Sequence, residues 1–392
     1  MRRIAKEQSL EKQMKSLNSY SAYFPGCLMF GSGSRKEVPG LFDKLCGRGG
    51  RVFGVFSNSV LQSVRGRELK ELMGGRLVGY YSSVPHDPPV EYVDEIIGRI
   101  RKTDANAVLA VGGGSVMDSA KTAALLTCGE GCTSDYLMGR LAVPTRSLPV
   151  VALPSTAGTG AEMTKNAVLT DHQNNVKKSL RSPLMIPKAA VVDPELTLGL
   201  PFAVTRDSGL DALTQAIESC VSTGATRLTR AMAREAVLLL MTYLEKACRE
   251  GDKLEYRERV AEGSMICGLA FGQSGLGAVH GLAHPLGHLL GVSHGLCCAI
   301  LLPYIMKWNL PVAEDEFAIL GGMCGVGDGA AFVAAVEQLC RRLQVPESFS
   351  GYGLKANHYD YIIANCRSGS MKANPRAMTD DDVRELLTRL NG

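Results

Sequence analysis

Five short runs in the first half of the chain narrow its architecture more than any other feature. RVFGVFS (51–57), LVGYYSSV (77–84), AVLAVGGG (107–114), LPVVALPS (148–155) and AAVVDP (189–194) are rich in β-formers, and several are apolar at every position. A strand apolar on both sides must be covered on both, which is the condition of a parallel sheet held between layers of helix. Helical patterns such as PPVEYVDEIIGRIRK (88–102) lie between the runs, so crossover connections are expected. After DPELTLGLPFAVT the pattern changes. RAMAREAVLLLMTYLEKACRE and GAAFVAAVEQLCRRLQV read as helix after helix, and strand signals stop. The expectation is an α/β domain over residues 1–200 followed by an all-helical domain over 201–392, with Pro201 at the division.

A chain of 392 residues that is 45% hydrophobic and 21% charged has the material for two full cores. Its net charge of +4 is small and the basic residues are scattered, so neither nucleic acid nor a membrane is expected as a partner. The opening MRRIAKEQSLEKQMKSLNSY is basic, but Glu7, Gln8, Glu11 and Lys12 interrupt any apolar stretch, unlike a signal peptide. Ile4, Leu10, Met14 and Leu17 form a weak amphipathic stripe there. No segment is expected to reach the roughly 18 apolar residues that span a bilayer. Twelve cysteines without a C-x-x-C pair read as reduced, mostly buried thiols, which places the protein in the cytoplasm.

The strongest local signal for a ligand is AVLAVGGGSVMDSAKTAALL (107–126), an apolar strand that runs into Gly112, Gly113 and Gly114 and then a helix. Glycines allow close approach of a ligand to the backbone, and the free N–H groups of a helix start attract anions, so a pyrophosphate suits this turn. The plainer reading is a tight turn with Ser115 and Asp118 as a capping box. LPSTAGTGAEMT (153–164) repeats the logic: Ser155, Thr156 and Thr159 offer hydroxyl donors, and Thr159 with Glu162 has capping-box spacing. The dinucleotide pattern G-x-G-x-x-G is absent in its strict form. GVGDGA (325–330) approaches it without a preceding strand and is set aside.

Four of the seven histidines fall in VHGLAHPLGHLLGVSH: His280, His284, His288 and His294. His280 and His284 share a helix face, and a cluster of this kind beside glycines points to a polar site inside a helical domain. Imidazole is also the commonest transition-metal ligand. In GLDALTQAIE (209–218), Asp211 and Gln215 lie four apart on one helical face. Asp211 would supply the carboxylate that, with two histidines, makes a set for Fe(II) or Zn(II). Spacing alone does not bring residue 211 to residue 280.

GGGSVMDSAK, PSTAGTGAEMT, DPELT, GLDALTQAIE and VHGLAHPLG…SHG resemble, in order and spacing, the iron-containing (group III) alcohol dehydrogenases, from YFPGCLMFGSGS at 23 to NPRAMTDDDVRELL at 374. The resemblance implies a Rossmann-like dinucleotide-binding domain and an all-α metal-binding domain in a dehydroquinate synthase-like architecture, with the catalytic cleft between them. It implies a pyrophosphate on Gly113, Gly114 and Ser115, Asp118 near the nicotinamide, and Ser155, Thr156 and Thr159 along the phosphates and ribose. Asn166 and Lys177 match further cofactor contacts. Asp211, His280 and His294 match metal ligands, and His284 matches a histidine beside the substrate. A homodimer or higher homo-oligomer is also implied.

Two departures stand out. Gln215 occupies the place of the family's usual second metal ligand, a histidine; its carboxamide oxygen is a neutral, weaker donor. The end of the first long strand reads VFSNS, so Ser57 stands where NAD-preferring relatives carry an aspartate, and NADP becomes acceptable beside NAD. The implied activity is reversible hydride transfer between a small alcohol or aldehyde and the nicotinamide, assisted by a divalent metal, with His284 relaying the proton. Two other readings compete with it: a metal-independent reductase of the same fold, similar to maleylacetate reductase and acting on an acidic substrate, and a non-catalytic binding or sensor protein. Cys297 and Cys298 read as buried thiols.

Overall fold

The computed structural model describes residues 19–392, so the stripe of Ile4, Leu10, Met14 and Leu17 lies outside the described residues. Its strands are β1 (Cys27–Phe30), β2 (Val52–Phe56), β3 (Leu77–Tyr81), β4 (Ala107–Gly112), β5 (Val150–Pro154), β6 (Asn166–Asp171), β7 (Val176–Arg181) and β8 (Ala189–Val192). Six of them form one sheet in the order β1-β8-β5-β4-β2-β3, parallel at every pairing.

The uninterrupted apolar runs are explained by what covers them. The helices of this half are α1 (Val38–Cys46), α2 (Asn58–Gln62), α3 (Val64–Met73), α4 (Val90–Lys102), α5 (Gly114–Leu126) and α6 (Thr133–Leu137). Phe53, Val55, Val108 and Ala110 point to one face, against Val93, Ile96 and Ile100 of α4 and Met117 and Ala120 of α5. Val52, Phe56, Leu109 and Val111 point to the other, against Val38 and Phe42 of α1 and Leu69 of α3. Each such side chain, fully buried, contributes about 1.5–3 kcal/mol, which is why no polar residue interrupts the strands. The chain steps from β2 outward to β3 and returns to the other side of β2 as β4. Neighbouring strands whose connections leave in opposite directions open a crevice at their carboxyl ends, the usual ligand position of an open α/β sheet.

Two strand elements have no counterpart among the sequence expectations. β1 is an edge strand with only alternate residues sheltered. β6 and β7 form a separate antiparallel hairpin, Asn166 opposite Arg181 and Thr170 opposite Lys177.

After β8 the described residues are helical or irregular: α7 (Phe202–Val221), α8 (Arg227–Arg249), α9 (Leu254–Ser274), α10 (Ala278–Leu290), α11 (His294–Met323), α12 (Gly329–Arg342), α13 (Tyr359–Asn365), α14 (Gly369–Ala373) and α15 (Asp380–Asn391). One expectation is corrected here. At 30 residues, α11 is long and apolar enough to cross a membrane by length and composition. However, 67% of its most apolar window is buried within the fold, where Cys297, Ile300, Leu301 and Leu302 belong to the core of the helical half. The helix is apolar because it is a core element.

The halves meet along a close seam. A methyl group on Gly158 would lie 2.7 Å from Ser208 Cβ of α7, and one on Gly160, whose φ is +57°, 2.8 Å from the Gly268 Cα of α9. Met163, Ala190 and Val192 bury themselves against Ala261 and Met265 of α9.

Candidate active site and metal centre

Helix α7 is buried from Gly209 to Cys220, yet Asp211, Gln215 and Glu218 put polar groups on one stripe of it, at i, i+4 and i+7. The acceptors of this stripe have specific work. Glu218 takes hydrogen bonds from the backbone N–H of Gly277 (2.9 Å) and of Val279 (2.7 Å), which fixes the start of α10. Gly277 has to be glycine, since a Cβ would fall 2.7 Å from Glu218 Oε1. Glu218 Oε2 lies 2.6 Å from His280 Nδ1. A carboxylate that accepts from Nδ1–H turns the lone pair of the other nitrogen outward, the usual support of a metal-binding imidazole.

His280 Nε2 is directed at Asp211 Oδ1, 3.3 Å away, and His294 Nε2 lies 3.7 Å from the same oxygen. Asp211 Oδ1 is buried and accepts no hydrogen bond. A buried carboxylate oxygen without a well-aligned donor is costly unless positive charge neutralises it, either a proton on His280 Nε2 or a metal ion that takes that proton's place. One donor atom each from Asp211, His280, His294 and Cys298 lies within 4.8 Å of every other. Oxygen, two imidazole nitrogens and sulfur suit a divalent transition ion.

Burial lowers His294 to about 4, so its ring is neutral and available as a donor. Burial also opposes charge on His280, but Cys298, Glu218 and Asp211 outweigh it and carry its pKa well above the usual value. His294 keeps 25% side-chain exposure while Asp211 and His280 keep 3% each, so the cluster opens on the His294 side. His284 stacks on His294 with centroids 4.9 Å apart, and its Nδ1 is buried without a partner. Burial, then His294 and Lys177, push His284 well below its usual range. Lys177, on β7, is paired with Asp87 at 2.7 Å, and both act electrostatically on His294. The β6–β7 hairpin therefore brings part of the sheet-bearing half to the histidines. Gln215 is buried, and its carboxamide oxygen lies 3.8 Å from Cys267 Sγ.

The two small-residue loops interlock at the carboxyl ends of β4 and β5. The N–H of Ser155 donates to Gly112 O at 2.9 Å. A Cβ on Gly113 would meet Thr156 Oγ1 at 3.4 Å, and one on Gly114 would meet Thr159 Cγ2 at 2.8 Å. Ser57 stands beside them at the end of β2, its N–H bonded to Val111 O at 2.9 Å and its Oγ accepting from Val60 N–H. Ser115 lies in the first turn of α5, whose N-cap is Gly113.

Neither expected capping box forms. Asp118 Oδ2 instead accepts from Val168 N–H at 2.8 Å, tying α5 to the hairpin, and Glu162 sits buried in a short 3₁₀ turn after Gly160. Asn166 and Lys177 lie at opposite ends of the hairpin, roughly 13 Å apart by strand geometry. Lys177 is at the histidine end. Asn166 is at the α5 end, where its carbonyl accepts from Lys121 Nζ at 2.5 Å.

Residues 25–194 match the model of the iron-containing alcohol dehydrogenases, and residues 205–390 match that of the C-terminal part of the Fe-containing alcohol dehydrogenase family. The chain belongs to the iron-containing alcohol dehydrogenase family. It is an oxidoreductase of that family. It is 33% identical over 319 residues to the NAD-dependent methanol dehydrogenase of Bacillus methanolicus, covering 79% of this chain and 84% of the relative. It is 32% identical over 316 residues to alcohol dehydrogenase 4 of Schizosaccharomyces pombe, covering 79% of this chain and 74% of that one. Among solved structures, sulfoacetaldehyde reductase from Bifidobacterium kashiwanohense in complex with NAD+ superposes with a TM-score of 0.89 at 29% identity, over 96% of this chain and 99% of that chain.

Within this iron-containing alcohol dehydrogenase, three residues in or beside the candidate site were given no role there by the sequence reading. Glu218 was legible as the third member of the i, i+4, i+7 stripe. Lys121 carried no signal of its own, being one lysine in a helix; Cys298, read with Cys297 as a buried thiol, is buried as expected and also faces the histidines.

Glu162 supports a prediction about stability. It is fully enclosed, and burial raises its carboxyl from 4.5 to about 7, against weaker opposing effects of its own backbone N–H and of Lys121. Because the folded-state value lies above the unfolded one, the native chain binds more protons between the two. Unfolding free energy should then fall by about 3 kcal/mol as pH rises from about 4.5 to about 7, and stay level above. Glu162→Gln should flatten that slope, with a higher urea midpoint than the parent at about pH 8 and little difference at about pH 5. Parallel pH profiles of the two proteins would count against this assignment.

Proposed function

We propose that this family member is a metal-dependent NAD(P)-linked alcohol dehydrogenase that runs reversible hydride transfer between a small alcohol or aldehyde and C4 of the nicotinamide. The observation that carries this reading is the buried, unpartnered Asp211 Oδ1 facing the ring nitrogens of His280 and His294. Asp211, His280 and His294 would hold the ion, with Gln215 adjacent on the same helical stripe. When bound, the ion supplies Lewis acidity, polarising an aldehyde oxygen or acidifying an alcohol.

The remaining work belongs to the chain. Gly113, Gly114 and Ser115 present backbone N–H groups at the start of α5 to the pyrophosphate, in the crevice beside β2. Ser155, Thr156 and Thr159 add hydroxyl donors from the interlocked second loop. Asp118, anchored by Val168 N–H and Lys121, orients the nicotinamide end, and Asn166 and Lys177 bound the cofactor from the two ends of the hairpin. His284, neutral and with Nδ1 free, accepts the alcohol proton and passes it toward solvent on the open His294 side. The division of labour follows the chain: residues 1–200 for the nucleotide, 201–392 for the ion.

Ser57 places a hydroxyl rather than a carboxylate at the end of β2, which leaves room electrostatically for a 2′-phosphate. We therefore expect NADP to be used alongside NAD. All twelve cysteines are free thiols, which fits a cytoplasmic protein, and a homo-oligomer is the expected assembly. An aldehyde panel assayed with both nicotinamides, before and after adding Fe(II) or Zn(II), tests the whole reading. It predicts stimulation by metal and measurable kcat/KM with each cofactor. Turnover indifferent to metal after chelation would overturn the metal role, and exclusive use of NAD would overturn the role given to Ser57.

A further inference from the structure

The metal-dependent reading leaves three strong donors and a neutral carboxamide, in a site that opens only at His294. We propose that the sulfur of Cys298 is the fourth protein ligand of the cation, filling the position that Gln215 weakens, and that the resulting set favours Zn(II) over harder divalent ions. This rests on the metal-dependent reading above.

Cys298 lies one helical turn after His294 on α11, so both side chains project from the same face toward Asp211 and His280. Its sulfur is 3.6 Å from His294 Nε2 and 3.9 Å from His280 Nε2, and it belongs to the group of donors mutually within 4.8 Å. Other buried thiols of the chain behave differently. Cys267, Cys297 and Cys340 each set Sγ against a backbone carbonyl, of Ala212, Val292 and Ala299 respectively. The hydrogen-bonding partners of Cys298 are instead the two ring nitrogens that face Asp211. The second, independent sign of a cation site is Asp211 Oδ1 itself, buried in the same group without a well-formed hydrogen bond. Gln215 is the poorer candidate, because an amide oxygen carries no charge and here lies beside Cys267 Sγ.

Binding through sulfur requires loss of the thiol proton, which leaves to solvent as the ion enters, with no change of oxidation state. A thiolate beside two imidazoles and a carboxylate is a soft, four-donor set, and softness shifts preference toward zinc.

Cobalt(II) tests this without any assay of turnover. The full-length protein, stripped with chelator and reloaded with cobalt, should bind it stoichiometrically and show a near-ultraviolet thiolate-to-cobalt charge-transfer band. That band should vanish in Cys298→Ala and Cys298→Ser, and persist in Cys297→Ala and Gln215→Ala. Competition with a chromophoric chelator should show zinc binding weakened by about 100-fold or more in Cys298→Ser, beyond the range of about 10–100-fold typical of losing an outer supporting group. The serine variant preserves shape if alanine impairs folding, which circular dichroism would report. Stoichiometric cobalt without the band, or a band that survives both Cys298 substitutions, overturns the ligand assignment alone. Failure of the parent protein to bind cobalt overturns the metal-dependent reading together with it.

Discussion

His280→Ala should lower kcat/KM by about 10³-fold or more and leave the protein with little bound metal. The magnitude follows from the chemistry that a Lewis acid supplies to a developing oxyanion, several kcal/mol, of which about 4 kcal/mol corresponds to three powers of ten. The residue is sensitive because its two nitrogens have separate tasks. Nδ1 is held at 2.6 Å by Glu218, which is itself fixed by two backbone N–H groups, so Nε2 cannot turn away from Asp211. Steady-state kinetics combined with metal analysis of protein purified without chelator would check it. Near-normal turnover in the alanine variant would remove the cation from the catalytic step.

A second large effect is expected far from the histidines. Lys121 is completely buried, with Nζ 2.8 Å from Ala161 O, 2.5 Å from Asn166 O, 3.2 Å from Thr164 Oγ1 and 3.4 Å from Asp118 Oδ1. One ammonium thus ties α5, the second small-residue loop and the start of β6 together. Burial works against both charges, raising Asp118 and lowering Lys121, while each charge favours the other.

Lys121→Met keeps the aliphatic stem but strands a buried carboxylate and several carbonyls. The expected loss is about 3–5 kcal/mol. The urea midpoint should fall accordingly, and the KM for the nicotinamide cofactor should rise because Asp118 and the loops lose their common anchor. An unfolding free energy within about 0.5 kcal/mol of the parent, the scatter of neutral surface changes, would show that the ammonium is not needed for the fold.

The sheet was readable because burial on both faces leaves an unmistakable mark: VFGVF and AVLAVG have no polar position at all. The helical second half was readable from length and periodicity. The β6–β7 hairpin was not, because VKKSLR places two adjacent lysines in a half-exposed strand that borrows its order from β6 and the short helix α6. At the site, composition and spacing supplied the histidine cluster and Asp211, but only the resemblance joined residues 69 positions apart in sequence. The structure brings Asp211, His280 and His294 into one group and adds Glu218 and Cys298. Those two were hidden for different reasons. The helical stripe marks Glu218 as a polar position, but its support of an imidazole shows only once His280 is beside it. A thiol acquires significance only from what lies across from it.

The seam between the halves bears on how such a molecule can exist at all. Met163, Ala190 and Val192 find their apolar neighbours in Ala261 and Met265, across the junction, and Gly158 and Gly160 lie too close to α7 and α9 to admit one more carbon. Neither half closes its own surface there. Severed near residue 200, each fragment would be expected to turn this greasy flank to water with no partner of its own, although each keeps a core of its own.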